Sequence, residues 1–193
     1  MLYSVLRFII NIILRIFYRI EVVGNNTVES DKAYIVASNH RNNLDPLLVI
    51  ITFNKRKIHY IAKKELFENK ILKFILDRTY VISLDRNKND LGALKESLKV
   101  LKDGEILGIF PQGTRVSSIE DDTSKAGIGM FAMRTNTPVI PVSIVAENNY
   151  KPFSKIKIIY HDLYTVPEQL MTEKNNEGYI AVSNEVMQII KSK

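Results

Sequence analysis

Apolar and polar positions change their period repeatedly along this chain. Short apolar runs stand at Ile20–Val23, Tyr34–Ser38, Lys57–Ile61, Tyr80–Leu84, Ile106–Phe110, Val139–Val145 and Ile156–Tyr160. Runs of this length, rich in Ile, Val and Tyr, predict strands of a buried sheet. Helical spacing appears between them, near Pro46–Phe53, Ile71–Leu76, Leu91–Leu101 and Gly127–Arg134, and again at Gly178–Lys191. Strands alternating with helices predict an α/β fold: one domain with a largely parallel or mixed central sheet flanked by helices. Ligands of such sheets bind beyond the carboxyl ends of strands. That directs attention to the residues following Ser38, Phe110 and Val145.

The first twenty residues differ from the rest. They are mostly Leu, Ile, Val, Phe and Tyr, and Arg7, Asn11, Arg15 and Arg19 recur every fourth residue. At helical pitch these four form one narrow polar stripe on an otherwise apolar helix. Arginines in the middle and second half argue against a membrane-spanning segment. The sequence Glu21-Val22-Val23 supplies no small-residue cleavage site for a signal peptide. Two readings remain. One is an interfacial helix, its apolar face in the acyl boundary and its arginines on head groups. The other is a helix docked on the protein's own core. The first is the expectation carried forward, with residues 1–20 as an amphipathic membrane anchor and residues 21–193 as the functional domain.

Composition narrows the chemistry. The 193 residues include no cysteine, which excludes disulfide scaffolds, zinc ribbons, iron–sulfur clusters and thiol nucleophiles. The formal charge of +6 is unevenly placed. Residues 1–20 carry three arginines and no acid, and residues 54–64 carry Lys55, Arg56, Lys57, Lys63 and Lys64 and no acid. Nucleic acid is not the expected partner. The second stretch offers only His59 and Tyr60 for base stacking, and the first is too apolar. An anionic membrane surface or an anionic substrate fits the charge.

Two strand exits carry candidate chemistry. The first reads Asn39-His40-Arg41-Asn42-Asn43-Leu44-Asp45-Pro46. Pro46 suits the first turn of the next helix, which makes Asp45 the expected N-cap. A tight loop can bring Asp45 against His40, so that the carboxylate fixes one ring nitrogen and leaves the other as a general base. No Ser or Cys nucleophile adjoins the pair, so the base would activate a hydroxyl of the substrate. His59 and His161 lack such a partner pattern and read as structural or exposed. The second exit reads Phe110-Pro111-Gln112-Gly113-Thr114-Arg115. An arginine held on such a turn can bind phosphate with its planar fork. Lys125 opens the following helix and can add to an anion site.

Taken in order, Asn39-His40-x4-Asp45, Lys63-x-Glu65-Leu66, Asp85-Arg86, Phe110–Arg115, Lys125-x-Gly127 and Val139-Ile140-Pro141-Val142 resemble the glycerolipid acyltransferase family, lysophosphatidic acid acyltransferase branch. The resemblance covers about residues 20–145. It implies that His40 deprotonates the acceptor hydroxyl, that Asp45 orients His40, and that the hydroxyl attacks the thioester directly, without an acyl-enzyme. Acyl carrier protein or coenzyme A would carry the acyl group, with no metal or further cofactor. Lys63 and Arg115, with Arg86 and Lys125, would meet the acceptor phosphate. Gln112, Gly113 and Thr114 would shape the phosphate loop, and Pro141 would line the acyl site. The implied product is phosphatidic acid, made from lysophosphatidic acid on the cytoplasmic face of an anionic membrane. Other acceptors, glycerol 3-phosphate or another lysophospholipid, stay open, as does a non-catalytic membrane-binding role. Two positions depart from the family pattern. Gln112 stands where Glu is usual, and the glycine usual before Asp85-Arg86 is missing, with Tyr80 in that region.

Overall fold

The computed structural model describes residues 2–53, 56–86, 90–116 and 124–193. Seven strands form one sheet: β1 (Arg19–Gly24), β2 (Tyr34–Ser38), β3 (Ile58–Lys63), β4 (Ile82–Leu84), β5 (Ile106–Ile109), β6 (Val139–Ala146) and β7 (Lys155–Tyr160). Their spatial order is β1-β7-β6-β2-β5-β3-β4. Every neighbouring pair is parallel except β6 and β7. The helices are α1 (Leu2–Phe17), α2 (Asp45–Thr52), α3 (Lys70–Arg78), α4 (Leu91–Lys102), α5 (Gly127–Thr135), α6 (Glu168–Met171) and α7 (Asn176–Lys191). Each run predicted as a strand is one. The short α6 and the 3-10 turns at Lys64–Phe67 and Glu147–Tyr150 were not predicted, because four residues are too few to show a period.

All five residues of β2 are buried, as expected for a central strand covered on both faces. Alternation then sorts them. Tyr34 and Val36 join α1 and α2 in one apolar layer with Leu14, Leu48 and Val49. Ile35 and Ala37 join α4, α5 and α7 in the other, with Val100, Ile128 and Ile190. The sheet thus separates two cores. Because β2 and β5 are neighbours, the loops leaving their carboxyl ends lie side by side.

Helix α1 is not a detached anchor. Leu14 is buried within the first core, and Tyr3 is buried, its hydroxyl accepting from the Ile58 amide at 3.3 Å. Arg7 donates to the carbonyl of Phe53, just past the end of α2, so this part of the polar stripe faces the protein rather than head groups. Arg15 donates to Asn11 at 2.9 Å. The outward face consists of Val5, Phe8, Ile9, Ile12, Ile13, Ile16 and Phe17, with Ser4 and Arg15 among them. Arg19 and Ile20 already pair with Lys155 and Ile156 in the sheet. A boundary at residue 20 therefore cuts through a strand. Among the described residues no helix is long and apolar enough to cross a membrane.

The basic stretch 54–64 is likewise not one patch. Residues 54 and 55 lie outside the described residues. Arg56 donates to the carbonyls of Glu29, Lys32 and Gly104, and Lys57 lies 4.4 Å from the centre of the Tyr80 ring. Tyr80 has φ 63°, a left-handed conformation that favours glycine. Contacts with Tyr3 and His59, at 5.7 and 5.2 Å between ring centres, help hold it there.

Two predictions follow from this packing. Leu14→Ala should lower unfolding free energy by about 2–5 kcal/mol in urea titrations, as for other buried leucines, whereas a detached anchor would show no change. The second concerns pH. Burial holds the imidazoles of His161 and His59 below their ordinary value, so the unfolded chain binds more protons than the folded one just below about pH 6.5. Stability should therefore fall as pH drops through that range. The fall should be smaller in His161→Asn, measured as urea midpoints at about pH 7.5 and about pH 5.5.

Candidate active site

The loop after β2 begins with Asn39, whose side chain is fully buried. It donates to the Ile144 carbonyl at 3.0 Å and accepts from the Ile144 amide at 2.7 Å. This two-point clamp on β6 fixes where the chain leaves the sheet. The next residue, His40, turns its Nδ1 to Asp45 Oδ2 at 3.1 Å.

Asp45 is fully buried. Its Oδ2 also accepts from the amides of Arg41 at 2.6 Å and Asn42 at 2.7 Å, and its Oδ1 accepts from the Tyr150 hydroxyl at 2.6 Å. A buried carboxylate is tolerated only when its oxygens are satisfied in this way. The same contacts correct the capping expectation. Leu44 is the N-cap of α2, and no side chain caps it. The Asp45 carboxylate reaches back to the loop amides instead. Burial beside Asp45 raises Tyr150 far above an ordinary phenol, so this hydroxyl keeps its proton and donates it.

Tyr150 is a residue the sequence reading missed. It follows Asn148 and Asn149, and all three have positive φ: 50°, 50° and 59°. Consecutive left-handed residues other than glycine are costly. Here they aim the ring at Asp45. The pair Asn148-Asn149 is the one local signal, since Asn tolerates this conformation best after glycine.

The imidazole of His40 is stacked on Phe110, 4.0 Å between ring centres and 18° between planes. Phe110 stacks in turn on Tyr60 at 5.5 Å. The loop after β5 is tied back to the first by the Val116 amide, which donates to the His40 carbonyl at 3.0 Å. Gly113 makes the turn with φ 68°, and a Cβ there would lie 3.1 Å from the Lys125 side chain. Lys125 is held by its own amide on the Pro111 carbonyl at 2.9 Å.

A cleft of about 1470 Å³ opens over these loops. His40, Lys63, Arg86, Gly113, Thr114, Arg115 and Lys125 all line it, although they come from four different segments of the chain. None of the four cations is in an ion pair among the described residues. Much of the lining is apolar: Leu6 and Ile10 of α1, Leu47 and Ile50 of α2, Ile75 and Leu76 of α3, Leu94 of α4 and Phe131 of α5. Tyr60 lines it too, its buried hydroxyl without a hydrogen-bond partner among the described residues.

Two expected site residues lie elsewhere. Gln112 is buried and does not line the cleft, and its amide has no hydrogen-bond partner among the described residues. The turn closed by the Gly113 amide on the Phe110 carbonyl carries residue 112 inward while residues 113–115 face the opening. Pro141 sits within β6, paired with Ala37 and five positions short of the strand's carboxyl end. It is buried and does not line the cleft. Of the other histidines, His161 bonds Ser143 Oγ at 2.7 Å, away from these loops.

Both the sequence and the fold have counterparts. The sequence profile of the Acyltransferase family matches residues 19–145. The 1-acyl-sn-glycerol-3-phosphate acyltransferase of Bacillus subtilis is 31% identical over 146 residues, covering 76% of this chain and 72% of that protein. Its namesake from Borreliella burgdorferi is 30% identical over 134 residues, and the probable one from Mycoplasma pneumoniae is 32% identical over 140. The chain spans about half the length of these last two, 53% and 52%. In fold it is similar to the crystal structure of the 1-acyl-sn-glycerophosphate (LPA) acyltransferase PlsC of Thermotoga maritima. The TM-score is 0.69 at 22% identity, over 99% of this chain and 82% of that one. The matched segment runs from β1 to β6 and so takes in both catalytic-type loops and the cations facing them; on that match, this chain belongs to the acyltransferase family.

Proposed function

We propose that this protein transfers a fatty acyl group from a thioester of acyl carrier protein or coenzyme A to the sn-2 hydroxyl of lysophosphatidic acid, giving phosphatidic acid. The observation that carries the reading is the His40–Asp45 pair at a cleft lined both by many apolar side chains and by four cations. A lysophospholipid phosphate has matching halves, an apolar chain and an anionic head. The names of the relatives support the same acceptor.

The chemistry follows from the geometry. With Nδ1 engaged by Asp45, Nε2 of His40 is the nitrogen left to accept a proton. It takes the proton of the acceptor hydroxyl as the oxygen attacks the thioester carbonyl carbon. A C–O bond forms, the C–S bond breaks, and the imidazolium returns its proton to the departing thiolate. The Asp45 carboxylate supports the imidazolium, and the Phe110 ring fixes its plane. Arg115, Lys63, Arg86 and Lys125 hold the phosphate. No residue becomes acylated and no metal enters. Gln112 is turned away from the cleft, so its departure from the family pattern need not alter the acceptor.

The exposed apolar face of α1 supports a peripheral seat on a membrane, on its cytoplasmic side where the thioester donors are made. In this reading α1 has two duties, because its inner face walls the cleft.

Three variants test the site. His40→Ala should lower turnover about a hundredfold or more with circular dichroism unchanged; full turnover would end the general-base mechanism. Tyr150→Phe should lower kcat by about tenfold while the KM for acceptor stays within about twofold, the cost of one hydrogen bond to a charged group. Arg115→Ala should act the other way round, raising the acceptor KM by about tenfold or more. An equal KM for lysophosphatidic acid and for an uncharged lysolipid in the wild type would remove the phosphate role.

A further inference from the structure

Helix α3 contributes no residue to any of the apolar cores. None of its nine residues is buried. It nonetheless carries five large apolar side chains. Ile75 and Leu76 line the cleft, while Ile71, Leu72 and Phe74 face outward. Ile71 is 73% exposed, more than any other large apolar residue described. The preceding 3-10 turn adds exposed Leu66. A short helix with no side chain in its own protein's core gains little from folding against it, because helix stability in water comes mainly from burying an apolar face. Something must cover that face.

Three observations choose the cover. First, α3 shares the cleft with α1. Tyr3, Leu6 and Ile10 of α1 and Ile75 and Leu76 of α3 all line the opening, and both helices turn further apolar residues to the outside. Second, the apolar arc is edged by cations. Lys70 and Lys73 lie on α3, Arg78 lies over the Phe74 ring at 3.9 Å, and Lys63 and Lys64 stand just before. The segment 63–78 has five basic and three acidic residues, with Lys73 paired to Asp77 at 2.9 Å and Lys64 to Asp85 at 3.3 Å. Such an edge suits an anionic surface and would be repelled by a second copy of itself. Third, Ile71, Leu72 and Phe74 stand exposed on a single helix and do not line the cleft, which suits a fluid acyl layer.

We infer that α3 and the 3-10 turn form a second membrane-dipping lip on the cleft that α1 also lines, so that the cleft opens straight into the facing acyl layer of an anionic bilayer. This rests on the membrane seat proposed above for α1. A lysophospholipid then enters sideways between the two helices. Its chain passes from lipid to the apolar lining without crossing water, and only its head group rises to the cations and His40. Full extraction would expose every methylene of the chain, which is the costly alternative.

The chain contains no tryptophan, so one introduced residue reports its own surroundings. Phe8→Trp on α1, Phe74→Trp on α3 and Leu163→Trp on another surface are made singly in the full chain. Vesicles containing phosphatidylglycerol, with and without a doxyl-labelled phospholipid, serve as the probe. The inference expects a blue shift and quenching for Phe8→Trp and Phe74→Trp and neither for Leu163→Trp. Quenching of Phe8→Trp alone overturns the second lip and leaves the membrane seat intact; quenching of neither overturns both. A shift of Phe74→Trp with protein concentration in the absence of lipid, or with acyl carrier protein instead of vesicles, also overturns it in favour of that partner. In parallel, Ile71→Glu/Phe74→Glu should lower turnover on vesicle-embedded lysophosphatidic acid by about tenfold or more and leave turnover on a short-chain, water-soluble acceptor within about twofold. Equal losses on both acceptors overturn the lip. Absence of wild-type turnover on either acceptor would instead refute the acyltransferase reading, whatever the fluorescence shows.

Discussion

A single buried charge organises this molecule. The Asp45 carboxylate has no contact with water, and its two oxygens accept from two loop amides, a phenol and an imidazole. Removing any partner leaves a desolvated charge less satisfied, which is why this loop has one shape. That shape sets the plane of His40. It also reaches beyond the loop, since Tyr150 stands after β6 and holds three successive residues in left-handed backbone to meet Asp45. The cost of that backbone is offset by a hydrogen bond to a charged group in a dry place. Reactive geometry and local strain are thus two ends of one contact.

The second organising feature is the mixed lining of the cleft. Its cations leave the ends of different strands and loops, and its apolar side chains come from helices on both faces of the sheet. A lining of that kind would orient an amphiphilic ligand before any chemistry occurred. Helix α1 shows how economically it is built. Leu14 enters the core, Leu6 and Ile10 wall the cleft, Arg7 satisfies the carbonyl after α2, and the remaining apolar residues face outward. The polar stripe that looked like a head-group contact is in part an internal one.

Much of the fold was legible because each strand is a short, nearly continuous apolar run, which few other structures can bury. Helices α2, α3, α4, α5 and α7 were legible for the related reason of helical spacing. The site was legible where chemistry demanded a residue type at a strand exit, as at His40 and Arg115. It was less so where a contact joined distant segments. Asp45 read correctly as the partner of His40 but wrongly as a helix cap, Pro141 and Gln112 read as ligand contacts, and Tyr150 did not register at all.

The boundary between the two kinds of knowledge is physical. Local sequence determined the period of each element, the position of the strand exits and the presence of a base, a carboxylate and several cations. These depend on neighbours within a few residues, through backbone sterics and side-chain spacing. The tertiary structure decided which oxygen meets which donor, which cations share one cleft, and which face of α1 turns inward. Those depend on the strand order β1-β7-β6-β2-β5-β3-β4, which places residues such as Asp45 and Tyr150 in contact across 105 positions of chain. No local pattern encodes such a contact, because its energy exists only once both segments have left water together.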